Sequence, residues 1–158
     1  QTKYPNIKLT IIGEGSQKDG IVKFIKKNKL QKNIILKSFI PHSPQLIKEF
    51  HHHEFFILNC VVDSQGNHDI HPNVVKEALS CGRLVITTHI GGIKEIIVDG
   101  INGYLCHPDD LVNKIEFIVQ SKLRQRIRVS QNARQTILKQ HRQEGVCHQL
   151  LSVFTKFL

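Results

Sequence analysis

The chain alternates short, continuous apolar runs with longer stretches whose apolar positions recur every three to four residues. The β-branched runs are Ile7–Ile12, Ile34–Phe39, Phe55–Val62 and Leu84–Thr88, with a shorter one at Gly103–Cys106. They are continuous rather than alternating, as strands buried on both faces are. Between them, Lys18–Lys29, Ser43–His51 and Asn73–Cys81 carry the helical period. Strand and helix taking turns across short Gly, Pro and Asn loops predicts βαβ units and a parallel sheet. Right-handed crossovers would place helices on both faces of that sheet, an α/β, Rossmann-like, doubly wound layer. After Cys106 the pattern is helical only. Leu111, Val112, Ile115, Ile118 and Val119 form one stripe, and Arg124–Gln140 predicts a helix that is polar and basic on most faces. Val146, Leu150, Val153, Phe154 and Phe157 predict a last amphipathic helix within 141–158.

The length, 158 residues, suits a single domain over 1–158 with a sizeable core. No apolar run approaches the ~20 residues of a membrane span, and the first residues carry no signal-peptide pattern. The opening "QTKYPNIKLTIIG", without a methionine, reads as a piece of something longer, truncated at its N-terminus. The net charge of +9, with lysine and arginine spread along the whole chain, favours anionic partners: nucleotide phosphates, an anionic membrane surface or nucleic acid. Basic residues scattered rather than clustered, 6% aromatics and no legible RNA or DNA module argue against nucleic acid. Cysteines at 60, 81, 106 and 147 form no CxxC pair, which points to reduced thiols in a cytoplasmic protein.

Ligands of open α/β sheets sit at the carboxyl ends of the strands, which directs attention to four loops: Gly13–Ser16, Ile40–Ser43, Cys60–Pro72 and Thr88–Gly92. "GEGSQK" after the first strand has G-x-G, but Lys18 stands where a dinucleotide fingerprint has its third glycine, so a tight strand-to-helix turn is the stronger reading. His51–His53 point in different directions and chelate one ion poorly; a helix end suits them better. His68, Asp69 and His71 are a better metal cluster on paper, yet no fourth ligand suggests itself, and no metal is expected.

"DIHPNVVKEALSCG" carries more. Pro72 suits a first helical turn, and Val74, Val75, Ala78 and Leu79 form the predicted buried stripe. Asn73 and Glu77 lie one turn apart on another side, and Asp69 continues that line from the loop. Free N–H groups at a helix start seat phosphate, while carboxylates accept hydrogen bonds from sugar hydroxyls. Acid, helix start and acid therefore match hydroxyl, phosphate and hydroxyl, the outline of a nucleotide sugar.

Taken with "THIGGIKEIIVDGINGYLCHPDD", this stretch resembles the C-terminal domain of retaining glycosyltransferases of family 4, which have the two-domain GT-B fold. The likeness rests on Asp69, Pro72 and Glu77, then Gly82-Arg83-Leu84-Val85, Gly91-Gly92 with Glu95, and Asp99-Gly100 with Gly103. "KLTIIGEG" and "LKSFIP" resemble the family's preceding strands and loops, and the whole resemblance runs from about Tyr4 to Gln140. The long loop "VVDSQGNHDIHP" is most similar to members that build bacterial surface polysaccharides. Asp69 stands where the family has Glu, Ile70 where it has Gly, and Ser38 where Gly is usual; Asn59-Cys60 replaces Pro-Ser.

The resemblance implies half of a GT-B fold that binds a nucleotide-diphosphate-sugar donor without a metal or other cofactor. It assigns Glu77 to the ribose hydroxyls and Asp69 to hydroxyls of the donor sugar, with both counted as catalytic. Backbone at Ile70, His71, Asn73 and Val74 would approach the sugar and phosphates, and Ser38, Phe39 and Ile40 would lie against the base. It further implies a saccharide or lipid-linked acceptor held by a second domain absent from this chain, so that the chain alone would not turn over. The setting would be cytoplasmic, peripheral at the inner face of the membrane. A binding module that has lost its chemistry and a nucleotide-sugar epimerase of the same fold are the other readings.

Overall fold

A computed structural model describes residues 4–60, 73–89 and 91–140. The chain divides into two compact units, Gln1–Lys48 and Glu49–Leu158.

In the first unit, strands β1 (Leu9–Ile12) and β2 (Ile34–Lys37) pair in parallel, Leu9 opposite Ile34 and Ile12 opposite Lys37. Helix α1 (Lys18–Lys27) crosses between them and buries Ile25. Apolar periodicity carried the expected helix to Lys29, but Lys29 adopts φ 55°, the left-handed conformation that ends helices. The Asn28 side chain and the Leu30 N–H then satisfy the last carbonyls, bonding Phe24 and Ile25 at 2.8 and 3.0 Å. β1 begins two residues later than its apolar run. The Asn33 amide donates to the carbonyls of Pro5 and Ile7, both at 2.9 Å, and holds that entry as a turn.

Helix α2 (Pro44–His52) contains the boundary between the units. In the second unit β3 (Phe55–Leu58), β4 (Leu84–Thr88) and β5 (Tyr104–Cys106) form a parallel sheet in the order β3-β4-β5. All five β4 residues are buried, which explains why its sequence is continuously apolar but for two threonines. The Thr88 hydroxyl donates to the Cys60 carbonyl at 2.6 Å, so this buried polar group is satisfied. Helix α3 (Asn73–Ser80) packs on β4 and on α6 (Leu123–Gln140), burying Val75, Ala78 and Leu79; Val74, expected in the same stripe, is half-buried. Each fully buried Val or Leu contributes about 1.5–3 kcal/mol. Gly82, at φ 65°, closes α3 by letting its own N–H and that of Arg83 reach the carbonyls of Leu79 and Ala78. From α6, Val129, Ala133 and Ile137 face inward at a spacing of four, as its sparse apolar pattern requires.

"GGIKEII" folds into a single helical turn, α4 (Ile93–Ile96), too short to stand out in the sequence. The following Asp-Gly-x-x-Gly segment is a tight turn: Gly100 N–H bonds the Gly103 carbonyl at 2.8 Å, and Asp99 accepts from Leu105 N–H at 2.8 Å. Gly103 is buried there, and a Cβ would lie 3.0 Å from the Ile97 side chain, so the position admits only glycine without repacking. A 3₁₀ turn (Pro108–Asp110) leads into α5 (Leu111–Gln120). Arg126 closes α5 by donating to the carbonyls of Val119 and Ser121 and pairs with Glu54 at 2.7 Å.

Candidate functional site

Both sheets are parallel, so the carboxyl ends of each define a ligand side of that unit. At that end of the first unit, the turn after β1 meets the loop after β2. Gly13 N–H bonds the Lys37 carbonyl at 3.1 Å, and Glu14 takes the Lys18 ammonium at 2.8 Å. The Glu14 carboxylate also accepts from the Ser38 hydroxyl and the Phe39 backbone N–H. With Lys18 the largest influence, these donors hold its pKa below the ordinary carboxylate value. One exposed acid thus stands beside two of the three residues expected against a nucleotide base. Phe39 presents its ring to solvent, 68% exposed, whereas Ile40 is buried and anchors the loop from beneath. The shelf available to a flat ligand is therefore Ser38 and Phe39. Glu14 escaped the sequence reading, though an acid between two glycines directly after a strand was the signal for it.

At the carboxyl end of the second unit's sheet stands the start of α3. Asn73 opens the helix and is exposed; Val74 is half-buried at the edge of the stripe, and Glu77 is half-buried on the side away from Val75, Ala78 and Leu79. Asn73 and Glu77 thus share a flank one turn apart, as the periodicity indicated. The Glu77 carbonyl accepts from the Ser80 hydroxyl at 2.7 Å and the Cys81 N–H at 3.1 Å, which ties its backbone to the helix end. Asp69, Ile70, His71 and the neighbouring His68 lie outside the described residues.

Two imidazoles the sequence reading did not single out stand beyond β4 and β5. His89 Nδ1 bonds the Cys106 carbonyl at 2.8 Å, and its ring lies 6.0 Å from that of His107. Among the described residues no three His, Cys, Asp or Glu side chains gather around a point that could hold a metal. The His51–His53 run closes α2, with His53 Nδ1 bonded to the Glu49 carbonyl at 2.7 Å, as a helix end should be.

The sequence pattern of the glycosyl transferases group 1 family matches residues 1–136. The chain belongs to this family. A poly(ribitol-phosphate) alpha-N-acetylglucosaminyltransferase of Staphylococcus aureus shares 27% identity over 152 residues, covering 94% of this chain and 29% of its own length. Among solved structures, Anabaena HepE in complex with UDP-glucose superposes with a TM-score of 0.75 at 18% identity, over 96% of this chain and 42% of HepE. The C-terminal domain of the group 1 glycosyltransferase LpcC from Francisella tularensis superposes at 0.72 with 23% identity, over 89% of this chain and 73% of that domain. At these identities the two structures establish the fold: a Rossmann-like α/β half of a GT-B glycosyltransferase. The chain spans well under half the length of the curated group 1 relatives it matches.

Proposed function

We propose that this chain is the donor-binding half of a retaining glycosyltransferase. It would pass a sugar from a nucleoside-diphosphate sugar to a hydroxyl of a saccharide or lipid-linked acceptor during surface polysaccharide synthesis. The observation that carries the reading is the flank of α3: in a group 1 chain, Glu77 sits off the buried stripe and in line with the helix start. Glu77 then accepts the two ribose hydroxyls, the α3 start meets the diphosphate through free N–H groups, and Asp69 accepts hydroxyls of the transferred sugar. Fixed dipoles and cations meet the charge of the departing diphosphate, without a metal. UDP-glucose bound to HepE supports a nucleotide-sugar donor of this general kind.

The protein works at the cytoplasmic side, at the inner face of the membrane; no helix among the described residues is long and apolar enough to cross it. Asp69 and Ile70, in place of the family's Glu and Gly, favour a second reading in which the donor is bound but not turned over. Incubating the full-length gene product with labelled UDP-sugars and saccharide or lipid acceptors separates the two. Transfer is the expected result. Donor binding without transfer or hydrolysis would give the second reading, and epimerised donor would refute both.

A further inference from the structure

Lysine and arginine occur all along the chain, but the charge they leave uncompensated does not. The first 48 residues hold ten lysines and no arginine against two acids, Glu14 and Asp19, a net of +8 out of the whole chain's +9. This stretch is the first compact unit. The acids that balance the remaining cations lie almost entirely after it.

Within that unit α1 presents Gly20, Lys23, Phe24 and Lys27 to solvent, the i, i+3, i+4, i+7 set of one helical face. Ile25 is buried on the opposite side, and Ile21 and Val22 are half-buried. Phe24 is 58% exposed at the centre of this face, with Lys26 also exposed at its flank. An aromatic ring held in water among ammonium groups contributes nothing to the core of this unit. The combination suits a surface that offers negative charge above and hydrocarbon below.

We propose that α1 docks this protein onto an anionic lipid bilayer, with Phe24 inserted at the headgroup boundary and Lys23, Lys26 and Lys27 against lipid phosphates. The proposal deepens the peripheral location read above and rests on that reading for its biological setting. A bilayer fits better than nucleic acid. Lysine is a compact point charge that senses potential, whereas reading phosphates and bases in fixed geometry favours the arginine fork that this unit lacks. The face also lies flat along one helix, with a single apolar anchor and no row of aromatics on which bases could stack.

The test is sedimentation of the full chain with vesicles of phosphatidylglycerol in phosphatidylcholine and with pure phosphatidylcholine vesicles. The parent is expected to pellet with the anionic vesicles alone and to be released as salt rises to about 0.5 M, where screening shortens the reach of charge to a few ångströms. Each lysine near such a surface is worth roughly fivefold, so K23A/K26A/K27A should lower partitioning about a hundredfold. Phe24→Ser should lower it about tenfold at unchanged salt dependence, since only apolar burial is lost. Arg128→Ala and Arg134→Ala, on the exposed part of α6, should leave it as it was. Circular dichroism checks that each variant is folded, and all carry surface substitutions that a folded unit accommodates. Binding to neutral vesicles, equal loss in the α6 variants, or tight binding of heparin that survives Phe24→Ser alongside unchanged vesicle binding would overturn the proposal. Nucleoside-diphosphate affinity of the lysine variants, measured in parallel, should be unaltered, so failure here and failure of the donor site are read on different instruments.

Discussion

Asn102 is buried to 3% exposure and makes three bonds, two to the end of α4 and one to α6: it accepts from Val98 N–H at 2.7 Å and donates to the Ile96 carbonyl at 3.0 Å and the Thr136 hydroxyl at 3.2 Å. Replacing it by alanine unties α4, the Asp99–Gly103 turn and α6 at once. The losses are unequal. The bond to Ile96 is fully buried, so its carbonyl forfeits a partner that water does not readily replace, at about 1–2 kcal/mol. Thr136 keeps its own bond to the Asn132 carbonyl at 2.9 Å, and the Val98 bond is only partly buried, so these two together add about 1 kcal/mol. Asn102→Ala should therefore destabilise the fold by about 2–3 kcal/mol, a fall in Tm of about 5–10 °C for a chain of this size. Asn132→Ala, which removes an exposed bond to the Ile101 carbonyl at 3.0 Å, should cost less than about 1 kcal/mol. Urea denaturation of the two variants decides the matter. A loss below about 0.5 kcal/mol for Asn102→Ala, or equal losses for both, would refute the reasoning.

Tyr104 is buried to 2% exposure among Leu84, Ile86, Ile118 and Val129, and its hydroxyl has no hydrogen-bond partner among the described residues. Tyr104→Phe should thus stabilise the protein by roughly 1 kcal/mol, and a loss of more than about 1 kcal/mol in thermal unfolding would show a partner for the hydroxyl. Burial raises the Tyr104 pKa above 10.0, so its contribution is complete below the unfolded value near 10 and is lost as pH climbs toward the folded one. Stability should accordingly fall on the alkaline side more steeply in the parent than in Tyr104→Phe. Glu14 behaves in the opposite sense: its pKa lies below 4.5, so the bonds it accepts are intact above that value and are lost as pH falls through the lowered one. In an acid titration by NMR the Phe39 amide resonance should move with a midpoint below 4.5; a midpoint at or above it would mean that Glu14 does not hold the loop.

The five strand runs were legible as unbroken apolar stretches; burial at every position accounts for that in β4, whereas β1 and β2 leave Leu9, Ile12 and Ile35 exposed. The ends of elements were less so, since they are set by single conformations and side-chain bonds. Lys29 at φ 55° shortens α1, and Asn33, reaching back to Pro5 and Ile7, delays β1. The flank of α3 could be read from its period alone, Asn73 and Glu77 falling one turn apart beside the buried stripe. The clamp of Glu14 on Ser38 and Phe39 could not. It brings together positions 24 and 25 residues apart that only the parallel pairing of β1 with β2 makes neighbours. Composition likewise gave the sum of the charge but concealed its partition, which acquires meaning only when Gln1–Lys48 is seen to be one unit.

The central claim is that the flank of α3 binds the nucleotide of a sugar donor, and calorimetric titration of UDP into the parent and into Glu77→Ala tests it most directly. Glu77 lies off the buried stripe, so the variant should fold as the parent does. Loss of two hydrogen bonds to a charged acceptor should weaken UDP binding by roughly 1.5–3 kcal/mol, a factor of about ten to a hundred and fifty in Kd. Unchanged affinity in a folded Glu77→Ala would contradict the assignment of this flank to the donor.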